Sequence, residues 1–91
     1  MYLPIGSKID RYGHGGGTFA SPYRTKFEKR SLPAGSEKLP YTAYIVKKRL
    51  PVYSGTVAPA FGKIGLGIQY RFSKSVDSLV KEGYLQPIKK E

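Results

Sequence analysis

A chain of 91 residues supports one small domain and not two, because surface-to-volume scaling leaves a chain this short a single modest core. It contains no cysteine, which excludes disulfides and thiolate metal sites, and no stretch approaches the roughly 20 apolar residues of a membrane-spanning helix. Sixteen Lys and Arg against six Asp and Glu leave a net charge of +10, a balance that attracts an acidic ligand: a nucleic acid, an anionic surface, a phosphorylated small molecule or an acidic protein.

The hydrophobic share of 40% is ordinary for a folded chain. Gly6, Lys8, Asp10 and Arg11 interrupt any apolar core of signal-peptide length in the first 20 residues. Ser7-Lys8-Ile9 reads as an extended opening segment, followed by a glycine-rich loop over Gly13–Gly17 that we expect to be a flexible turn. Thr18-Phe19-Ala20 suits a brief strand before the Ser21-Pro22 break. Residues 23–40 hold no sustained period and include Pro33, Gly35 and Pro40, so they read as irregular, with one helical turn over Lys26–Arg30.

From Tyr41 the pattern sharpens. Tyr41–Lys47 is rich in aromatic and β-branched residues and predicts a strand, and Pro51–Val57 a second strand or a bent pair. Ala58–Gly62 is a turn, and Ile68–Phe72 a third strand with Ile68, Tyr70 and Phe72 on one face and Gln69 and Arg71 on the other. Val76, Leu79 and Val80 recur at helical spacing between a Ser73 or Ser75 cap and a Gly83 stop. Tyr84-Leu85 then packs back or adds an edge strand. The fold class that results is α+β: a small single domain over 1–91, dominated by antiparallel strands, with one C-terminal helix.

Candidate chemistry gathers in a few short runs. Asp10-Arg11-Tyr12-Gly13, Gly17-Thr18-Phe19 and Glu28-Lys29-Arg30-Ser31-Leu32-Pro33 set two arginines beside aromatic rings on loop-like backbone. They are answered by Gln69 in Gly65-Leu66-Gly67-Ile68-Gln69-Tyr70. A guanidinium binds phosphate in a fixed bidentate fork and a ring stacks on a flat base, so the set suits a dinucleotide. The acids form no pair in sequence, the sole histidine, His14, sits in a glycine loop, and the glycines lack the spacing of a phosphate-loop or Rossmann fingerprint.

These motifs resemble the NAD-glycohydrolase toxin family named after the tuberculosis necrotizing toxin, which also includes fungal surface NADases; the resemblance runs from about Asp10 to Leu85. It implies a compact sheet-rich fold distantly akin to ADP-ribosyltransferases, and cleavage of NAD, and of NADP as well, at the nicotinamide–ribose bond with no cofactor and no metal. By the same matching Gln69 and Arg11 would be catalytic, and Arg30, Tyr12, Thr18 and Phe19 would bind substrate, the two rings as walls around the nicotinamide. Thr42 and Glu82 are further candidates: Thr42 stands where some members carry a functional His, and Glu82-Gly83-Tyr84-Leu85 recurs near the family's end. The resemblance further implies the C-terminal toxin domain of a larger secreted protein, acting in the cytosol of a target cell and held off by an acidic immunity protein, with no membrane or nucleic-acid partner.

Departures from the family pattern carry their own expectations. Arg24 and Lys26 replace Gly and Pro, Leu66 replaces a Gly beside the expected site, and Arg49 replaces a common Pro. An Arg at position 24 costs backbone freedom where the chain needs positive φ, and Leu66 is expected to crowd the site. The alternative reading is a non-enzymatic basic nucleic-acid-binding module, or an inactive relative that binds dinucleotides.

Overall fold

The computed structural model describes residues 1–88. In chain order these residues form strands β1 (Tyr2–Leu3), β2 (Lys8–Tyr12), β3 (Phe19–Pro22), β4 (Tyr41–Val46), β5 (Leu50–Pro51), β6 (Tyr53–Thr56) and β7 (Ile68–Arg71), then helix α1 (Val76–Lys81) and strand β8 (Leu85–Ile88). All strand pairs are antiparallel. β1 and β5 make a two-stranded ribbon, and the rest form a six-stranded sheet in the order β6-β7-β3-β2-β4-β8.

The α+β class expected from the sequence is the one observed. The Pro51–Val57 segment is the bent pair, broken at Val52 into β5 and β6, and Leu85 opens an edge strand against β4. Residues 23–40 hold two short 3-10 turns, Phe27–Arg30 and Ser36–Lys38. On one face of the sheet Ile9, Ala20, Tyr44, Val46, Phe72 and Leu85 pack against Val76 and Leu79 of α1, with Leu3 and Leu50 of the ribbon closing the edge. Each fully buried aliphatic or Phe side chain contributes about 1.5–3 kcal/mol over leaving it in water. Ile68 leaves this pattern: it is 44% exposed, beyond the edge of the core.

The helix is short and held at both ends. Ser75 is its cap, accepting from the Ser78 amide at 3.2 Å, and Gly83, at φ +83°, turns the chain back. The start of the helix also reaches the glycine loop. The amides of Val76 and Asp77 donate to the carbonyls of Gly17 (2.9 Å) and Gly15 (2.8 Å). The loop expected to be a flexible turn is thus tied to the helix. A Cβ at Gly15 would overlap the Asp77 carboxylate, so glycine is there for close approach.

One strand positions the site. β3 gives its second half, Ser21 and Pro22, to β2 and its first half, Phe19 and Ala20, to β7. Past the Asp10–Ser21 pair the β2–β3 ladder therefore stops and the sheet opens.

Candidate functional site

Arg11 stands at that opening. Its Nη1 donates to the Phe19 carbonyl at 2.6 Å, joining the two strands where the ladder has ended. Glycines clear the space for the guanidinium: a Cβ at Gly17 would lie 2.3 Å from Nη2, and one at Gly13 2.9 Å. Its buried Nε has no hydrogen-bond partner among the described residues. Burial pulls the Arg11 pKa below its ordinary value, opposed by the nearby Tyr44 and Asp77.

The opening widens into a cavity of about 460 Å3 whose lining includes Arg11, Tyr12, Phe19, Ser31, Ala58 and Gln69. Gln69 sits on β7 opposite Gly55 of the edge strand, which puts no side chain across from it. Phe19 is 46% exposed, an aromatic surface left uncovered at the rim. Tyr12 packs against the rings of Phe27 (5.4 Å) and Tyr41 (5.0 Å), so its orientation is fixed.

A buried ionic centre forms part of the cavity wall. Asp10 is wholly buried; its Oδ1 lies 2.7 Å from Nη2 of Arg30, and its Oδ2 accepts from the Arg24 amide (2.9 Å) and the Tyr41 hydroxyl (2.6 Å). Arg30, 7% exposed, also donates from Nε and Nη2 to the Thr25 carbonyl, at 2.9 and 2.7 Å, and lies over the Tyr12 ring at 5.0 Å. Its fork is therefore spent on protein partners, and although Arg30 lines the cavity, only Nη1 is without one among the described residues. Burial raises the Tyr41 pKa well above the usual phenol value, helped by the hydrogen bond to Asp10 and by that carboxylate's charge.

Five of the residues singled out in the sequence thus meet at one cavity: Arg11, Tyr12, Phe19, Arg30 and Gln69. Thr18, between the lining residues Gly17 and Phe19, does not line it; its carbonyl accepts from the Phe72 amide at 2.8 Å. Thr42, opposite Arg11 in the β2–β4 ladder, does not line it either. Glu82 lies at the far end of α1, paired with Lys74 at 2.7 Å on the surface. Sequence reading passed over Ser31, a lining residue whose buried hydroxyl has no partner among the described residues, and the role of Asp10. Both stand inside motifs already marked for their arginines, but only the fold reveals which atoms face inward.

The departures have clear structural costs. Arg24 has φ +66° and Leu66 φ +70°, so non-glycine residues hold left-handed backbone at both positions. Leu66 does not crowd the cavity as expected. It is 65% exposed and lines a separate groove with Arg24 and Ile68.

The chain is thus a small α+β domain whose antiparallel sheet splits at β3, with an aromatic, arginine-lined cavity at the split. The profile of the family described as tuberculosis necrotizing toxin matches residues 2–88, and the chain belongs to that family. It is 36% identical to the conidial surface nicotinamide adenine dinucleotide glycohydrolase of Aspergillus fumigatus, over 92% of this chain and 39% of that protein. It also superposes on tuberculosis necrotizing toxin, solved in complex with its immunity factor, with a TM-score of 0.80 and 27% identity, over 90% of this chain and 48% of that one. The chain thus spans less than half the length of either relative.

Proposed function

We propose that this domain hydrolyses NAD, and NADP as well, to ADP-ribose and nicotinamide, as a toxin that depletes the dinucleotide. The observation that carries the reading is the joint placement of Arg11, Tyr12, Phe19 and Gln69 around one cavity, in a member of a family that includes an NAD glycohydrolase. The nicotinamide of NAD carries a positive charge. When the C1′–N bond breaks, its electron pair returns to the ring, which leaves neutral without a general acid. Water then adds to the oxocarbenium carbon and gives up one proton.

Such a reaction asks for positioning and charge complementarity rather than paired carboxylates. The cavity's composition fits: Asp10, the carboxylate in its lining, is ion-paired with Arg30 and accepts hydrogen bonds from the Arg24 amide and the Tyr41 hydroxyl. Gln69 offers a neutral amide to the ribose hydroxyls, Arg11 a charge to the phosphates, and Phe19 and Tyr12 flat walls to the nicotinamide. Arg30 acts by fixing Asp10 and the Tyr12 ring. In this reading residues 1–91 are the C-terminal toxin domain of a larger secreted protein that works in a target cell's cytosol. A net charge of +10 favours an acidic immunity protein.

Incubating the purified domain with NAD and separating the products by chromatography tests the reading. Nicotinamide and ADP-ribose are expected in equal amounts, and Gln69→Ala is expected to abolish release while leaving fold and most NAD binding. No release by the unaltered domain would overturn the glycohydrolase reading; full release by Gln69→Ala would overturn that residue's role.

A further inference from the structure

Two cations flank Phe19. Arg11 donates to its carbonyl from the β2 side, and Arg71 stands opposite it in the β3–β7 ladder. On the outer edge strand Tyr53 pairs with Arg71 in turn, and the Arg71 guanidinium lies 4.7 Å from the Tyr53 ring centroid. Tyr53 is 66% exposed, so ring, cation and ring form an uncovered row across three strands. Among the described residues no carboxylate pairs with Arg71. A second hollow of about 240 Å3 lies along this row, lined by Tyr53, Ser54, Thr56 and Arg71, and by Phe19 and Gln69, which line the main cavity too. The two hollows thus share Phe19 and Gln69 as a common wall.

We propose that this strip is a second ligand subsite, taking the nucleoside-phosphate half of a dinucleotide whose reacting half occupies the main cavity. The proposal rests on the glycohydrolase reading and adds to it where the rest of the substrate lies. Three observations converge. First, about 460 Å3 is at the small end of the roughly 300–1,000 Å3 that holds drug-sized ligands, and a dinucleotide, with two bases, two sugars and two phosphates, is large among them. Second, Arg30 has spent most of its donors internally, so the pyrophosphate needs a cation besides Arg11, and Arg71 is the unpaired one next along the row. Third, an exposed ring carrying a guanidinium on its face offers a base a stacking platform with its phosphate partner alongside.

The test compares NAD with nicotinamide mononucleotide, which has the scissile bond but lacks the second nucleotide. Arg71→Ala and Tyr53→Ala should each lower kcat/KM for NAD, chiefly through KM, and Arg71→Lys should recover part of the loss. A charge-assisted contact of ordinary strength makes the NAD-to-mononucleotide preference fall about tenfold. Equal losses on both substrates, or no change on NAD, would overturn the subsite. If the unaltered domain cleaves neither substrate, the glycohydrolase reading fails, and calorimetric titration with ADP then judges the subsite by itself. ADP binding weakened about tenfold in Arg71→Ala would sustain it. Binding that is absent, or unchanged in the variant, would remove it.

Discussion

Asp10→Asn perturbs the fold at the base of the site and changes almost no volume. Asp10 is 0% exposed and faces three partners: Arg30, the Arg24 amide and the Tyr41 hydroxyl. The amide keeps an acceptor for one or two of these, but Arg30 is left as a buried cation without its counter-ion. Removing one partner of a buried ion pair costs about 3–5 kcal/mol. Because Arg30 keeps the Thr25 carbonyl, we expect the lower end, about 3 kcal/mol. A chain of this length has a total stability on the order of 5–14 kcal/mol, so the variant should lose a large part of it. Thermal unfolding should fall by roughly 12–24 °C, at about 4–8 °C per kcal/mol. Urea titration at unchanged m measures the loss directly. Replacing both partners, as Asp10→Asn with Arg30→Met, should cost much less than the two single losses summed, because no charge is then stranded. A loss under about 1 kcal/mol for Asp10→Asn, or strict additivity in the pair, would refute the reasoning.

Gly17→Ala should drive the Arg11 guanidinium from its seat, since the new Cβ would stand 2.3 Å from Nη2. NAD turnover is expected to fall about 10- to 100-fold for a misplaced charged donor, and unchanged kinetics would show that Arg11 acts elsewhere. The raised Tyr41 pKa sets an alkaline limit. In the unfolded chain the phenol ionises near pH 10 while the folded domain holds the proton, so stability falls as pH rises above about 10. Tyr41→Phe should flatten that decline in urea midpoints measured between about pH 9 and 11, and an identical slope would contradict the assignment. Leu66→Gly relieves left-handed backbone worth about 1–2 kcal/mol at an exposed position, against about 0.5–1 kcal/mol of glycine entropy. A net gain of about 0.5–1 kcal/mol by urea titration is expected, and a loss would mean that the Leu66 side chain holds the loop.

Local chemistry wrote much of this domain into its sequence. The α1 cap at Ser75, the turn at Gly83 and the strand over Tyr41–Val46 are set by neighbours a few residues away, so periodicity and caps revealed them. The motifs around Arg11, Arg30 and Gln69 were legible too, because each lies in a short run of distinctive residue types. Which of their atoms face the cavity was decided by contacts between distant segments. Arg30 resembles a phosphate clamp in sequence, yet its Nε and Nη2 donors are taken by Asp10 and Thr25 once β2 and the 3-10 turn over Phe27–Arg30 meet. Glu82 and Thr42 sit in recognisable patterns but do not line the cavity, since the register of β4 and the direction of α1 are set by packing. The glycine loop reads as flexible because its partner, the start of α1, lies some 60 residues further along the chain. Sequence thus determined the elements and the cast of reactive side chains. The split of β3 between β2 and β7, which creates the cavity, follows from non-local pairing that no single segment encodes.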